Sequence, residues 1–155
     1  DSAAVAAELG CDLVLMHMKG EPRTMQADPR YDDVAGEVRD YLAVRAQAAT
    51  AAGVARERIW LDPGVGFGKT AAHNLTLTAR LDVLVDLGFP VLYAASRKRL
   101  IQAVDPTATE AGDRLGGSLA LALEAARRGA RMVRVHDVRE TVQALKLQAA
   151  VTAAG

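Results

Sequence analysis

Hydrophobic and polar positions alternate along this chain in an order that predicts strands and helices in turn. Four short apolar runs, at 11–16, 58–61, 90–93 and 130–135, each follow a glycine or a loop and each precede a polar stretch. Such runs are typical of strands that are buried on both faces of a parallel sheet. The pattern therefore predicts four parallel strands.

Helical periodicity fills the segments between and after these runs. Apolar residues recur there every three or four positions, which predicts amphipathic helices over 32–52, 74–87, 111–128 and 140–153. Glycines that stand just before the predicted strands are expected to end the preceding helices. These glycines are Gly10, Gly53, Gly88 and Gly129. Strand and helix alternate throughout, which predicts an α/β fold of βαβ units with right-handed crossovers.

Polar clusters follow all four predicted strands. They are "HMKGEPRTM" (17–25), "DPGVGFGKT" (62–70), "SRK" (96–98) and "RVHDV" (134–138). In a parallel α/β fold, chemistry gathers at the carboxyl ends of the strands, so these clusters should meet on one face. Four clusters in succession favour a barrel-type active site over a doubly wound sheet with a single switch point. A closed barrel needs eight strands and about 250 residues, whereas this chain supplies four strands.

Composition excludes several classes of protein. The 155 residues suffice for one domain, and 19 basic and 19 acidic residues give a net charge of zero without any long run of one sign. We therefore expect no nucleic-acid partner. No apolar run approaches about 18 residues, so we expect a soluble protein with no membrane partner. The only cysteine, Cys11, lies in an apolar stretch and is expected to be a buried thiol, which fits a reducing, cytoplasmic setting.

The glycine-rich stretch at 62–70 is similar to a phosphate-binding loop but does not match one. A Walker A loop requires a glycine five positions before the glycine of its Gly-Lys-Thr ending, and that position holds Pro63. Proline has no backbone N–H to offer a phosphate. The stretch therefore needs another interpretation, and Lys69 is expected to be a loop or surface lysine rather than a phosphate ligand.

Taken together, the blocks resemble the signature blocks of the dihydropteroate synthase family. They are "LVLMHMKGEPRTMQ", "DPGVGFGKTAAHNL", "SRK" and "RVHDV", in this order and spacing. The resemblance covers essentially the whole chain. It implies that residues 1–155 form the C-terminal half, strands 5–8 with their helices, of a pterin-binding (β/α)8 TIM barrel whose N-terminal half is absent.

The resemblance also implies a reaction. The family condenses 6-hydroxymethyl-7,8-dihydropterin diphosphate with p-aminobenzoate and releases diphosphate, with Mg²⁺ assisting the leaving group. The family's metal ligand belongs to the absent half, so no metal ligand is expected in this chain. A homodimer is implied as well, and the small-residue helix at 116–130 is a candidate packing face, although an Ala-rich core helix explains the same pattern.

Asp62 is the residue to which the resemblance assigns the pterin ring. A carboxylate at the end of a buried strand can accept the ring N–H and the exocyclic amine of a pterin side by side. Without the other blocks, an Asx-turn before Pro63 would be the preferred interpretation. The resemblance further implies that Phe67 lies near the aminobenzoate ring and that Met16 forms an apolar wall of the pterin pocket. The role of His17 beside it stays open.

The "SRK" block supplies a second set of candidates. The resemblance implies that Lys98 reaches the pterin carbonyl and ring nitrogen, and that Ser96 helps to bind the aminobenzoate carboxylate. The alternative is a serine that caps a helix, followed by two solvated bases. Ala94 departs from the family, which usually carries a glycine at this position, and adds a methyl group near the place where the pterin stacks.

Arg134 and His136 form the last candidate pair. They alternate along the predicted fourth strand and should point to one side, with Val135 and Asp137 on the other. Two cations on one face indicate an anion site, and the resemblance places the leaving diphosphate there. We therefore take Lys98, Arg134 and His136 as the catalytic candidates.

The sequence offers no nucleophile beside a base, so catalysis would rest on positioning and on stabilisation of charge. Three hypotheses remain. The chain is part of a longer dihydropteroate synthase and is inactive or weakly active alone; or it is a half-barrel that binds pterin or phosphate without turnover; or it is a non-enzymatic scaffold subunit that pairs with another half-barrel.

Overall fold

A computed structural model describes residues 2–155 as a single α/β unit. Two 3-10 turns, at Arg56–Arg58 and Ala111–Arg114, precede the second strand and the sixth helix. The helices and strands, in chain order, are α1 Ser2–Leu9, β1 Leu13–Met16, α2 Val34–Ala51, β2 Ile59–Asp62, α3 Ala71–Ala79, α4 Asp82–Val85, β3 Leu92–Tyr93, α5 Arg99–Val104, α6 Leu115–Arg127, β4 Met132–Val133 and α7 Val138–Ala153.

The four strands are parallel and lie side by side in chain order. β1 pairs with β2 from Leu13 opposite Ile59 to Met16 opposite Asp62, and β3 pairs with β4. A parallel bridge between Leu61 and Val91 connects the two pairs. The predicted parallel α/β arrangement is confirmed. The sequential order also differs from the reversal of strand order at the switch point of a doubly wound sheet.

Some boundaries differ from the prediction. The predicted helix at 74–87 is two helices, α3 and α4, separated at Arg80 and Leu81. Leu77, Leu81 and Leu84 are all fully buried. The apolar periodicity therefore runs unbroken through Arg80 and Leu81 and gives no sign that the helix ends there. β3 and β4 are only two residues long, shorter than the runs at 90–93 and 130–135 that predicted them.

The core lies between the strands and the helices that cover one face of them. Ile59 and Leu61 of β2 pack with Val38 and Leu42 of α2, and all four are 0% exposed. Val14 of β1 is instead 47% exposed. One face of the sheet is therefore covered, while an apolar residue of β1 remains open to solvent.

Two findings bear on the expectations from composition. Cys11 is exposed, so the prediction of a buried thiol is wrong: the residue lies in the turn before β1, outside the apolar strand itself. None of the helices within residues 2–155 has the length and apolarity needed to cross a membrane.

A core substitution in α2 tests the packing. Leu42→Ala should lower the free energy of unfolding by about 2–5 kcal/mol, because the cavity is enclosed on all sides. Val44→Ala on the same helix should change it little, since Val44 is 64% exposed. Urea unfolding followed by circular dichroism measures both. Equal effects of the two substitutions would contradict the assigned core.

Candidate active site

The loop after β1 and the turn after β2 touch backbone to backbone. The N–H of His17 donates to the carbonyl of Asp62 (3.1 Å), which continues the strand pairing into the loops. Gly64 and Gly68 have φ of +68° and +63°, and a Cβ at either would collide with the carbonyl oxygen of His17 or of Lys19. Both positions therefore require glycine for two reasons, the backbone conformation and the close approach.

Lys69 lies inside this contact and is only 3% exposed. Its Nζ lies 2.9 Å from Nδ1 of His17 and donates to the carbonyls of Gly64 and Phe67, both at 3.0 Å. Lys69 does lie in the loop between β2 and α3, as expected, but it is buried and not a surface lysine. The amine holds together the two ends of the turn at 64–68, called the glycine turn from here on. It also joins this turn to the loop after β1.

Burial controls the ionisation of His17 and Lys69. Burial, with a further contribution from Lys69, lowers the pKa of His17 to about 4. Burial also lowers the pKa of Lys69 to about 7, against the opposing effect of Asp62. His17 is thus a neutral acceptor at physiological pH. Its role, which sequence reasoning left open, is to accept the Lys69 hydrogen bond.

Asp62 ends β2 and is 4% exposed. One carboxylate oxygen accepts the N–H of Gly64 at 2.7 Å, so the Asx-turn does form. The other oxygen has no hydrogen-bond partner within residues 2–155, and it is not enclosed, since every enclosed side-chain polar atom there has one. Burial raises the pKa of Asp62, and the Gly64 N–H, Lys98 and Arg134 act in the opposite direction.

A pocket of about 460 Å³ opens beside the glycine turn. Phe67 and Lys98 face each other there, with Nζ 4.8 Å from the ring centroid, and Lys98 donates to the carbonyl of Val65. Sequence reasoning missed three polar residues of the lining: Gln26, Asn74 and Arg99. Asn74 accepts the N–H of Gly66 at 3.0 Å. The only signal for Asn74 was its place within the second signature block.

A second pocket, of about 290 Å³, lies on the other side of Lys98. Its lining unites five of the predicted site residues with Val135: Ala94, Ser96, Lys98, Arg134 and His136. The Oγ of Ser96 lies 3.0 Å from Nδ1 of His136 and accepts its backbone N–H at 3.2 Å. Lys98 therefore belongs to both pockets and connects them.

The surroundings of these residues refine several predictions. Arg134 and His136 lie beyond the end of β4 at Val133, so their placement on the strand is wrong. Their side chains are nevertheless exposed while Val135 and Asp137 are half-buried, as the expected alternation requires. The capping alternative for Ser96 is also wrong, because α5 begins only at Arg99.

Met16 lies opposite Asp62 at the end of β1, next to Gly64, and does not line either pocket.

Metal ligands are a separate matter. Within residues 2–155, no group of three or more histidine, cysteine or acidic side chains could hold a metal ion. The residues present do not fit Mg²⁺ by themselves. The chemistry of the site is therefore derived from this chain's own side chains.

Comparison with known proteins is consistent with this geometry. A family model described as pterin binding enzyme matches residues 1–136. Dihydropteroate synthase from Escherichia coli strain K12 is 46% identical over 150 residues, which cover 96% of this chain and 52% of that protein. The chain spans about half the length of this relative.

Two solved structures of Thermus thermophilus dihydropteroate synthase are similar throughout the chain. One is in complex with 4-aminobenzoate, with a TM-score of 0.91, and the other in complex with 6HMPPP, with a TM-score of 0.92. Both are 44% identical to this chain in sequence, and the matched region covers 97% of this chain in each case. It covers 61% of the chain in complex with 4-aminobenzoate and 59% of the chain in complex with 6HMPPP.

Removal of the buried amine should destabilise the protein. Lys69→Met leaves the carbonyls of Gly64 and Phe67 without a donor, and we expect a loss of about 1–3 kcal/mol in the free energy of unfolding. Lys146→Met, at an exposed lysine of α7, is the matched control and should have little effect. Chemical denaturation measures both variants. An unchanged midpoint for Lys69→Met would show that the amine does not hold the turn.

His17 should make stability depend on pH. An unfolded imidazole binds a proton below pH about 6.5, whereas folded His17 does so only near 4. Between these values the unfolded state binds more protons, so the free energy of unfolding should rise as pH rises from about 4 to about 6.5. His17→Gln should flatten this part of the profile, measured by urea unfolding at a series of pH values. The same slope in both proteins would refute the assignment.

Proposed function

Because the chain belongs to the pterin binding enzyme family, we propose that it forms one half of a dihydropteroate synthase. The observation that carries the proposal is that two pockets sharing Lys98 are lined by six of the predicted site residues, while Asp62 and Met16 line neither: Phe67, Ala94, Ser96, Lys98, Arg134 and His136. One pocket offers an aromatic face at Phe67, and the other offers two cationic or potentially cationic side chains. A flat ring and a diphosphate are the ligands that such a pair of pockets suits.

The chain would supply strands 5–8 of a (β/α)8 barrel, with the N-terminal half absent. Support comes from the parallel strands in chain order and from the relative of about twice its length. The exposure of Val14 on β1 is also what an inner barrel layer without its second half would give. Among the described strands β1 pairs only with β2, and an unpaired strand edge needs a covering partner.

The pterin ring is assigned to Asp62 and Lys98. The free oxygen of Asp62 supplies one acceptor, and its turn oxygen retains a further lone pair, so both could face the ring N–H and the exocyclic amine. Lys98 stands between the pockets and can donate to the ring's carbonyl and nitrogen. Met16, which lines neither pocket, would contribute an apolar wall beside Gly64, while Ala94 would add one methyl group to the second pocket. The structure in complex with 6HMPPP supports a pterin ligand.

Aminobenzoate is assigned to the pocket that contains Phe67. Its carboxylate is assigned, on the resemblance, to Ser96 and the neighbouring bases of the second pocket, on the other side of Lys98. The relative in complex with 4-aminobenzoate supports this ligand. The diphosphate is assigned to Arg134 and His136. Ser96 contacts the imidazole of His136, and this contact orients the ring toward the second pocket.

The proposed chemistry needs no nucleophilic side chain. The bond between the pterin methylene carbon and the diphosphate oxygen breaks, and its electron pair leaves on the diphosphate. The aniline nitrogen then forms the new C–N bond with its lone pair and loses one proton to solvent. Arg134 and His136 stabilise the negative charge that grows on the leaving group, while Asp62 and Lys98 hold the ring in place.

Three further parts belong to the same proposal. Mg²⁺ would be held by ligands outside this chain and would help to neutralise the diphosphate. A homodimer is proposed on the resemblance, and α7 supports it with apolar side chains that are 59–68% exposed at Val138, Leu147 and Val151. In α6, by contrast, Ser118, Ala122 and Ala125 are already buried within the chain. A cytoplasmic location completes the proposal.

Two alternatives share a specific observation in their favour. The chain covers only 52% of the Escherichia coli relative, and a half-barrel could bind pterin without turnover or serve as a scaffold subunit. Both would retain the pockets but lack the residues that the other half supplies. Turnover by a completed barrel distinguishes the enzyme from these alternatives.

The test compares this chain alone with a completed protein, in which the N-terminal half of the Escherichia coli relative precedes it. We expect pteroate formation from pterin diphosphate and aminobenzoate only by the completed protein. Asp62→Asn should lower its turnover by about a hundredfold or more, because the amide replaces one acceptor with a donor. Asp86→Asn, at an exposed aspartate, should leave turnover unchanged.

The outcomes separate the hypotheses. A folded, completed protein that binds pterin diphosphate but makes no pteroate would favour the non-catalytic half-barrel. A folded protein that binds no pterin would refute the transferase assignment. Full activity of Asp62→Asn would remove Asp62 from the ring-binding role.

A further inference from the structure

Arg97, between Ser96 and Lys98, adopts a backbone conformation that its residue type disfavours. Its φ is +58°, and among residues 2–155 every other positive φ belongs to a glycine. A side chain with a Cβ is strained in this left-handed region, so the surroundings must hold the conformation. Because Ser96 and Lys98 flank it directly, the turn at Arg97 sets the directions in which both of them point.

The backbone of Arg97 is anchored at both polar groups. Its N–H donates to Oγ of Ser118 at 2.8 Å, and its carbonyl accepts from Nη1 of Arg114 at 3.0 Å. Both partners are buried, and Ser118 donates in turn to the carbonyl of Arg114. The start of α6 thus fixes the peptide groups on either side of the strained residue.

The side chain of Arg97 makes a bidentate contact with Asp137. Nε lies 3.1 Å from one carboxylate oxygen and Nη2 lies 2.5 Å from the other. The Asp137 side chain is only 17% exposed, and the Arg97 guanidinium holds the pKa of that carboxyl below its usual range. Asp137 directly follows His136, so this ion pair joins the segment after β3 to the turn after β4.

We propose that Arg97 and Asp137 form a positioning pair that holds Ser96 and Lys98 at a fixed spacing from Arg134 and His136, and so shapes the anion site. The inference rests on the proposed function, in which diphosphate binds between these two segments. Asp137 engages the Nε and Nη2 edge of the Arg97 guanidinium, and a direct anion contact through Nη1 is the competing role that the variants distinguish.

The test measures diphosphate binding to the completed protein by calorimetry, together with kcat and KM for pterin diphosphate. Arg97→Gln and Asp137→Asn should each weaken diphosphate binding by about tenfold or more, since displaced cations lose their shared geometry. The double variant should bind diphosphate no more weakly than the single variant with the lower affinity, because both changes break the same pair. Arg139→Gln, an exposed arginine of α7, is the control.

The paired design separates the possible roles. If Arg97 bound the anion directly, Arg97→Gln would weaken binding, whereas Asp137→Asn would strengthen it or leave it unchanged. If the pair served stability alone, the unfolding midpoint would fall while the folded variants kept their diphosphate affinity. Either result would overturn the proposal. Should Arg97→Gln fail to fold, the near-isosteric Asp137→Asn decides alone, and Arg97→Gly, which adopts a positive φ freely, repeats the loss of the pair.

Failure of the proposed function gives a different signature. In that case the unsubstituted completed protein would itself bind neither diphosphate nor pterin diphosphate. Failure of the positioning pair alone would leave the unsubstituted protein active and the variants equal to it.

Discussion

The site depends on one constraint, the direct packing of two backbone loops with a buried amine between them. Gly64 and Gly68 have no room for a side chain because the loop after β1 lies against them. Lys69 uses its hydrogens on acceptors from both loops. With this contact in place, the carboxylate of Asp62 and the ring of Phe67 have defined positions at the edge of the sheet.

From that fixed edge, a chain of contacts reaches the second pair of strands. Lys98 extends to the Val65 carbonyl and lies over Phe67, so it ties the segment after β3 to the glycine turn. Ser96 then contacts His136, beyond β4. Four loops from four strands are thereby connected through polar contacts at one end of the sheet. The arrangement suits a reaction that needs positioned charges rather than a nucleophilic side chain.

Sequence reasoning predicted the fold class well because alternating apolar runs report burial on a sheet. It proposed site roles for Asp62, Lys98, Arg134 and His136 because their blocks resemble a known family, and the structure brings the last three of these to one pocket. It failed for Lys69, since a lysine after a glycine turn is normally solvated, and only tertiary contact buries it. The same holds for Arg97 and Asp137: nothing local indicates a positive φ at an arginine, or a partner 40 residues away. The break between α3 and α4 was hidden for a related reason, because Leu81 is buried like its helical neighbours.

The central claim is that the glycine turn binds a pterin ring while the diphosphate lies at the end of β4. A crystal structure of the completed protein with pterin diphosphate tests it most directly. We expect the ring amine and ring N–H at hydrogen-bond distance from Asp62, and the diphosphate between Arg134 and His136. A diphosphate seated on the turn between Pro63 and Lys69, with Asp62 free of the ring, would contradict the claim.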